Sequence, residues 1–235
     1  GVLIHGMGGW GKSSIASRLW ERLPESEKIL WWRQIDEVYL IRKLKDKLIN
    51  PKTRELIADL ENNQIELKSR LSYLFIRLAE LGEKPFLLIL DDFEWNLEPR
   101  DGRYILKAPV APILAALVTA IQETGTDHRI LITCRYEFDS DLLEAFFLQG
   151  LEPFRKAELT KKLARLANFT PDQLPEPLRE RALNLADGNP RLLEFLNTVG
   201  LEREDAEAQL AEVVNSPGRQ ASDIRRSSNR TRSCC

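Results

Sequence analysis

Within GVLIHGMGGWGKSSIASRLW, the residues Gly6, Gly11, Lys12 and Ser13 satisfy the spacing G-x-x-x-x-G-K-[ST]. Glycines so placed let the backbone approach an anion with no Cβ in the way, so that successive N–H groups converge on phosphate oxygens. The lysine adds a charge for the β- and γ-phosphates, and the serine hydroxyl is a hard oxygen suited to Mg²⁺. Gly6, Met7, Gly8, Gly9, Trp10, Gly11, Lys12, Ser13 and Ser14 are therefore the expected cradle of a nucleotide's phosphates with Mg²⁺. A second group stands at the end of PFLLILDD. Asp91 is the expected metal partner beside Ser13, and Asp92 the carboxylate that polarises a water in line with the γ-phosphate. A third is Arg135, which follows the apolar run ILITC. A planar guanidinium there can read the γ-phosphate and bind differently before and after hydrolysis. Lys12, Asp92 and Arg135 are thus the expected catalytic set. The plainer readings are an N-cap and solvated turn for the two acids, and a surface ion pair with Glu137 or Asp139 for Arg135.

Such residues act only if strands and helices bring them together. Val2 to His5 reads as a short buried strand, and Ile15, Leu19 and Leu23 recur at helical spacing after the serines. The loop then lies between a strand end and a helix N-terminus, whose unpaired amides and dipole favour an anion. Ile29 to Trp32 reads as another strand, and Glu55 to Leu81 as one helix with a stripe of Leu56, Leu60, Leu67, Leu71, Leu74 and Leu78, closed by Gly82. PFLLILDD and HRILITCR are continuous apolar runs of the kind covered on both faces. Glu94 to Pro109 reads as a loop, Ala111 to Glu123 as a helix, and Phe146 to Leu148 as a further strand. This alternation predicts an α/β fold, a P-loop NTPase with a parallel sheet flanked by helices, over residues 1–150.

After Gly150 the pattern becomes helical: Arg155 to Ala167, Leu178 to Ala186, Arg191 to Val199 and Asp205 to Val214. Residues 151–215 are read as a small all-helical lid. Within DGNPRLLEFL, Gly188 ends one helix, Asn189 caps the next and Pro190 takes its first position. Residues 216–235 lose their apolar content and hold five arginines against one aspartate from Arg219 onward, which predicts a disordered or added tail.

The 235 residues are 43% hydrophobic, enough for one substantial core, and their net charge of -2 exerts no general pull on nucleic acid or an anionic membrane. The longest apolar run, near Val110 to Ile121, falls short of the ~20 residues a spanning helix needs. Three cysteines, two of them adjacent at the end, build no disulfide framework, and this usage fits a reducing, cytoplasmic setting. The single methionine lies inside the glycine loop, so the chain reads as a piece of a longer protein. His5, Trp31 and Trp32 read as packed core residues. The arginine-rich tail lacks the interleaved aromatics of a base-stacking surface.

GMGGWGKSS, LLILDDF, ILITCR and GNPRLL together resemble, in order and approximate separation, the nucleotide-binding domain of signal-transduction ATPases with numerous domains, particularly the NB-ARC branch of plant resistance and apoptosome proteins. The likeness covers about residues 1 to 200. It implies that Arg135 is the sensor arginine, that Pro190 packs on the adenine, and that the protein holds ADP in a closed resting form, exchanges it for ATP and then self-associates. Asn189 and Arg191 depart from the apolar residues usual in the fourth motif. The family's winged-helix histidine has no counterpart either, since His5 and His128 both come too early.

The expected function is an ATP/ADP-binding switch with slow Mg²⁺-dependent ATP hydrolysis, regulating an effector or oligomerisation region elsewhere in a longer signalling protein. One alternative is a regulatory module that retains ADP without turnover. Another, a nucleic-acid-stimulated ATPase, is disfavoured by the mild net charge.

Overall fold

The computed structural model describes residues 1–170 and 174–199. The elements run β1 (Val2–His5), α1 (Lys12–Arg22), β2 (Glu27–Trp32), α2 (Glu37–Lys45), α3 (Pro51–Arg54), α4 (Leu56–Glu61), α5 (Leu67–Glu80), β3 (Phe86–Asp91), β4 (Leu97–Arg100), β5 (Arg103–Leu106), α6 (Ala111–Thr124), β6 (Arg129–Cys134), β7 (Phe147–Gly150), α7 (Lys156–Leu163), α8 (Glu176–Ala186) and α9 (Pro190–Val199).

Five strands form one sheet in the order β2-β3-β6-β1-β7, and every pairing within it is parallel. Strand alternation divides their side chains between two cores. Leu3, Ile29, Trp31, Leu88, Leu90, Ile130 and Ile132 face the larger one with α5 and α6. Ile4, Leu87, Ile89 and Leu131 face Ala16 of α1. This two-sided cover explains why PFLLIL and ILIT are continuously apolar. Side chains of this size contribute ~1.5–3 kcal/mol each on full burial, which is what sets strand register against its neighbours. His128, just before β6, is also buried; its Nδ1 accepts from the Phe86 N–H at 2.8 Å and its ring stacks on Phe75.

The chain divides into two compact units. One comprises residues 1–6 and 12–151; the other holds residues 7–11 together with the described residues from 152 onward. In the second, Leu166, Phe169, Leu174, Ala182, Ala186, Leu193 and Leu196 build a separate small core.

Two expected stretches differ. The segment read as one helix from Glu55 to Leu81 is broken between Glu61 and Leu67. There the Asn62 side chain accepts from the Gln64 N–H and its carbonyl accepts from Ile65, a local turn that competes with helix continuation. The segment read as loop from Glu94 to Pro109 contains the antiparallel hairpin β4–β5. Asp101 (φ 50°) and Gly102 (φ 76°) both adopt the left-handed conformation that matches the twist of a two-residue hairpin. The helix expected at Asp205 to Val214 and the tail at 216–235 lie outside the described residues.

Candidate functional site

Between β1 and α1 the chain turns through the glycine loop, where Gly9 has φ 91° and Gly11 φ 96°. A side chain at either position would be strained, which accounts for their type. The 11-residue α1 begins at Lys12 with no acidic residue in its first turn, so no carboxylate of its own competes with an anion at its N-terminus. Lys12 is buried, 7% exposed, and its Nζ donates to the Gly6 carbonyl at 2.7 Å. Burial lowers its pKa from the ordinary lysine value, with the nearby Arg135 acting in the same direction; Glu94 is the leading charge that opposes this, ahead of Asp92.

Ser13 Oγ donates to Asp91 Oδ1 at 3.0 Å. The same oxygen accepts from the hydroxyl of Thr133, which is fully buried on β6. Asp91 is therefore held against the start of α1 by a hydroxyl of the neighbouring strand. Asp92, one residue on, leaves the strand in the left-handed conformation with φ 54° and ψ 44°. Its N–H donates to Thr133 Oγ1 at 3.3 Å, and its Oδ2 accepts from Trp32 Nε1 at 2.8 Å. Consecutive carboxylates thus serve different partners.

Arg135 follows β6. It pairs with Glu94, Nε to Oε1 at 2.9 Å, and its own N–H donates to the other Glu94 oxygen at 3.3 Å. The ion pair foreseen with Glu137 or Asp139 is instead made with Glu94; Asp139 is engaged by Arg103, and Glu137 lies 3.9 Å from His5. Cys134, next to Arg135, is buried and its thiol is pushed up to about 12, chiefly by desolvation, so it is no nucleophile.

Trp31 is packed, but Trp32 is 59% exposed, contrary to the expectation that both were core. The cause is strand alternation at the sheet edge: Trp31 points into the core, so its neighbour points out. There the Arg33 guanidinium lies 4.1 Å from the Trp32 ring and 4.9 Å from that of Trp95. Asn96, fully buried, ties this corner together by accepting from the Ile35 N–H and donating to the Arg33 and Phe93 carbonyls.

In the second unit, Asn189 Oδ1 accepts from the Arg191 and Leu192 N–H groups, which makes it the N-cap of α9, while Pro190 takes the first helical position. Its Nδ2 donates to the Gly8 carbonyl at 3.0 Å.

The first unit therefore gathers Lys12, Ser13, Asp91, Asp92 and Arg135 at or just beyond the carboxyl ends of adjacent parallel strands, the ligand crevice of open α/β sheets. Met7, Gly8, Gly9, Trp10, Gly11 and Pro190 group with the second unit, and Ser14 is an exposed residue of α1. Thr133, Glu94 and Asn96 were not singled out by sequence. For Thr133 the available signal was a hydroxyl interrupting an apolar strand one residue before its end. The oxygens of Ser13 and Asp91 are hard donors that fit Mg²⁺, an ion that needs only one or two protein ligands when phosphates and water supply the rest. Among the described residues no group of three or more His, Cys, Asp or Glu could hold a metal ion. No described helix is long and apolar enough to cross a membrane.

The family described as an AAA ATPase domain matches residues 1–132. No curated protein matches the chain. Among solved structures, a Walker-type ATPase of Pyrococcus abyssi is similar at a TM-score of 0.58 and 20% identity, covering 97% of this chain and 71% of its own. A signal-transduction ATPase with numerous domains that carries a tetratricopeptide repeat sensor, from Pyrococcus horikoshii, reaches 0.55 at 16% identity over 92% of this chain. A RuvB mutant of Thermotoga maritima reaches 0.50 at 15% identity over 91%. The chain spans 30% of the length of the P. horikoshii protein and 62% of that of the RuvB. At these identities the likeness is one of fold.

Proposed function

The chain belongs to the AAA ATPase domain family, more than half of it falling within that match, and from this premise we propose that it is an ATP/ADP-binding switch with slow Mg²⁺-dependent ATP hydrolysis. The observation that carries this reading is the Ser13–Asp91–Thr133 chain of hydrogen bonds beside a buried Lys12. A helix-capping turn needs neither a buried lysine nor a strand-end carboxylate aimed at the first turn of the helix. In this reading the loop amides and Lys12 hold the β- and γ-phosphates, and Ser13 and Asp91 hold Mg²⁺. The metal, when bound, neutralises charge on the phosphate oxygens. Arg135 reads the γ-phosphate once Glu94 releases it. Asp92 orients the attacking water, which requires it to leave Trp32.

Residues 1–150 are read as the nucleotide-binding domain and 151–215 as a helical lid, whose Pro190 packs on the adenine as the NB-ARC-like motifs imply. The switch would act within a longer cytoplasmic signalling protein that self-associates when ATP replaces ADP.

One observation favours a second reading. The water-polarising carboxylate is engaged by Trp32 and the arginine by Glu94, which suits a module that retains ADP and rarely turns over. Nucleotide would then hold the fold together by mass action, on the order of 4 kcal/mol at a thousandfold excess over Kd.

Denaturing the purified protein and identifying the released nucleotide, together with calorimetric titration of ADP and ATP in Mg²⁺, tests the site. Wild type is expected to bind, and Lys12→Ala to lose roughly a hundredfold in affinity, since it removes a charge that donates to phosphate. Equal binding by both proteins would refute the phosphate site. Phosphate release well above background from wild type, absent in Asp92→Ala, separates the hydrolytic switch from the ADP-retaining module.

A further inference from the structure

Asn189 does more than cap a helix. Its side chain uses both ends: Oδ1 accepts from the Arg191 and Leu192 N–H groups at 3.1 and 3.2 Å, while Nδ2 donates to the Gly8 carbonyl at 3.0 Å. The cap alone occupies the oxygen, so the amide nitrogen is left for a separate task. The fit around it is close. A Cβ on Gly9 would meet Asn189 Oδ1 at 2.5 Å and Arg191 Cβ at 3.0 Å. The residue before it is held as well: Gly188 has φ 68°, a Cβ there would meet the Phe154 carbonyl at 2.5 Å, and its own carbonyl accepts from the Phe154 N–H at 2.8 Å. Asn189 is thus presented from a backbone fixed on both sides.

The group it grips is the peptide between two glycines. No peptide bond of the described chain is cis, and in a planar trans peptide the C=O and N–H point in opposite directions. Holding the Gly8 carbonyl toward Asn189 therefore directs the Gly9 N–H away from it. A Gly-Gly link is the one most free to turn over, because neither residue has a Cβ to restrict φ and ψ. Turned over, it would present a carbonyl oxygen where an amide had been, and a phosphate would meet repulsion instead of a donor.

We propose that Asn189 is a positioning residue for the phosphate loop: its amide fixes the orientation of the Gly8–Gly9 peptide in which the loop receives a nucleotide's phosphates. The proposal rests on the nucleotide-binding reading above and adds to it a residue that acts through the loop backbone. An apolar side chain could neither cap α9 nor hold the carbonyl.

Two substitutions separate the cap from the grip. Asn189→Ser and Asn189→Asp both keep a good capping oxygen, since Ser, Asp and Asn are near-equal N-caps, and both lack the amide donor. In the full chain, each is expected to bind ADP with Mg²⁺ about tenfold more weakly than wild type by calorimetry, as the loss of one well-placed hydrogen bond implies. Their melting temperatures without nucleotide should stay at the wild-type value, and amide exchange at Gly9 in the nucleotide-free protein should become faster. Asn189→Ala, lacking cap and grip, should show the same affinity loss and a lower melting temperature. Unchanged ADP affinity in Asn189→Ser would overturn the proposal, as would a loss confined to Asn189→Asp, which marks charge repulsion alone. A fall in affinity matched by a fall in nucleotide-free melting temperature in Asn189→Ser would overturn it too, because that marks a cap defect. A wild type that binds no nucleotide would remove the phosphate-site reading itself, whereas a silent Asn189→Ser beside a binding wild type removes this inference only.

Discussion

Acid should weaken this protein through one histidine remote from the phosphate loop. His128 is 4% exposed, accepts from the Phe86 N–H through Nδ1, and lies against Phe75 with ring centroids 4.3 Å apart. Desolvation is the main cause that pulls its pKa down from 6.5 to about 4. Protonation would also turn the accepting Nδ1 into a donor facing another donor. Because the folded-state value lies below the unfolded one, the neutral form is favoured by folding. The associated stability is complete above about pH 6.5 and is lost as the pH falls toward about 4. At 1.36 kcal/mol per pKa unit, the difference implies about 2 kcal/mol lost by pH 5 and about 3 kcal/mol by pH 4. A domain of this kind has only ~5–15 kcal/mol in all, so the effect is large enough to see. The measurement is urea unfolding of wild type and His128→Asn between pH 7.5 and 4. Asparagine keeps an acceptor near the Nδ1 position and cannot titrate, so every other group's contribution cancels in the comparison. The variant starts less stable at pH 7.5 through lost ring packing, and the gap should close by about 2 kcal/mol at pH 5. Parallel curves across that range would refute a neutral buried histidine.

Two further substitutions probe the candidate site. Thr133→Val keeps the volume but removes the hydroxyl that donates to Asp91 and accepts from the Asp92 N–H; it should cost about 2 kcal/mol in urea unfolding and shrink the gain in ADP affinity on adding Mg²⁺, and an unaltered gain would detach Asp91 from the metal. Glu94→Gln removes the leading charge that holds the Lys12 pKa up. Labelling of Lys12 by an amine-directed reagent, followed by mass spectrometry, should then begin at lower pH than in wild type, and coincident profiles would count against a Glu94 charge close to the lysine.

Much of this architecture was legible in the chain because the signals were local. The Gly6–Ser13 spacing, the unbroken run Phe86 to Leu90 ending in carboxylates, and the Ala-rich and Leu-rich helix before β6 each declare themselves within a dozen residues. What stayed hidden depends on register between strands remote in sequence. Thr133 meets Asp91 and Asp92 only because β3 and β6 pair in parallel with Leu90 beside Ile132. Glu94 looks like one more surface acid in FEWN, yet its side chain is only 14% exposed against Arg135. The hairpin at Leu97 to Leu106 is a different case: the Asp101–Gly102 pair is a recognised turn signal, and Pro99 and the charged residues around it obscured the short strands.

The two acids of LLILDD show how neighbouring residues of one type come to hold unlike positions. Asp91 is the last residue of β3 and keeps the strand's alternation, which aims it at Ser13 and Thr133. Asp92 breaks that alternation by taking a left-handed backbone, a conformation open to aspartate at modest cost, and the turn swings its carboxylate to Trp32 at the outer edge of β2. The stored strain and the indole hydrogen bond act in opposite directions on any return of Asp92 toward the loop. Arg135 is balanced in a similar way, since leaving Glu94 for a phosphate exchanges one anion for another of higher charge. In the proposed switch, Arg135 would be drawn from Glu94 by a bound γ-phosphate and Asp92 from Trp32 by the water in line with it, and ADP supplies no γ-phosphate. On the proposed function a slow turnover and a long-lived ADP form would follow from the same two contacts, and weakening the first with Trp32→Phe should raise phosphate release rather than lower it.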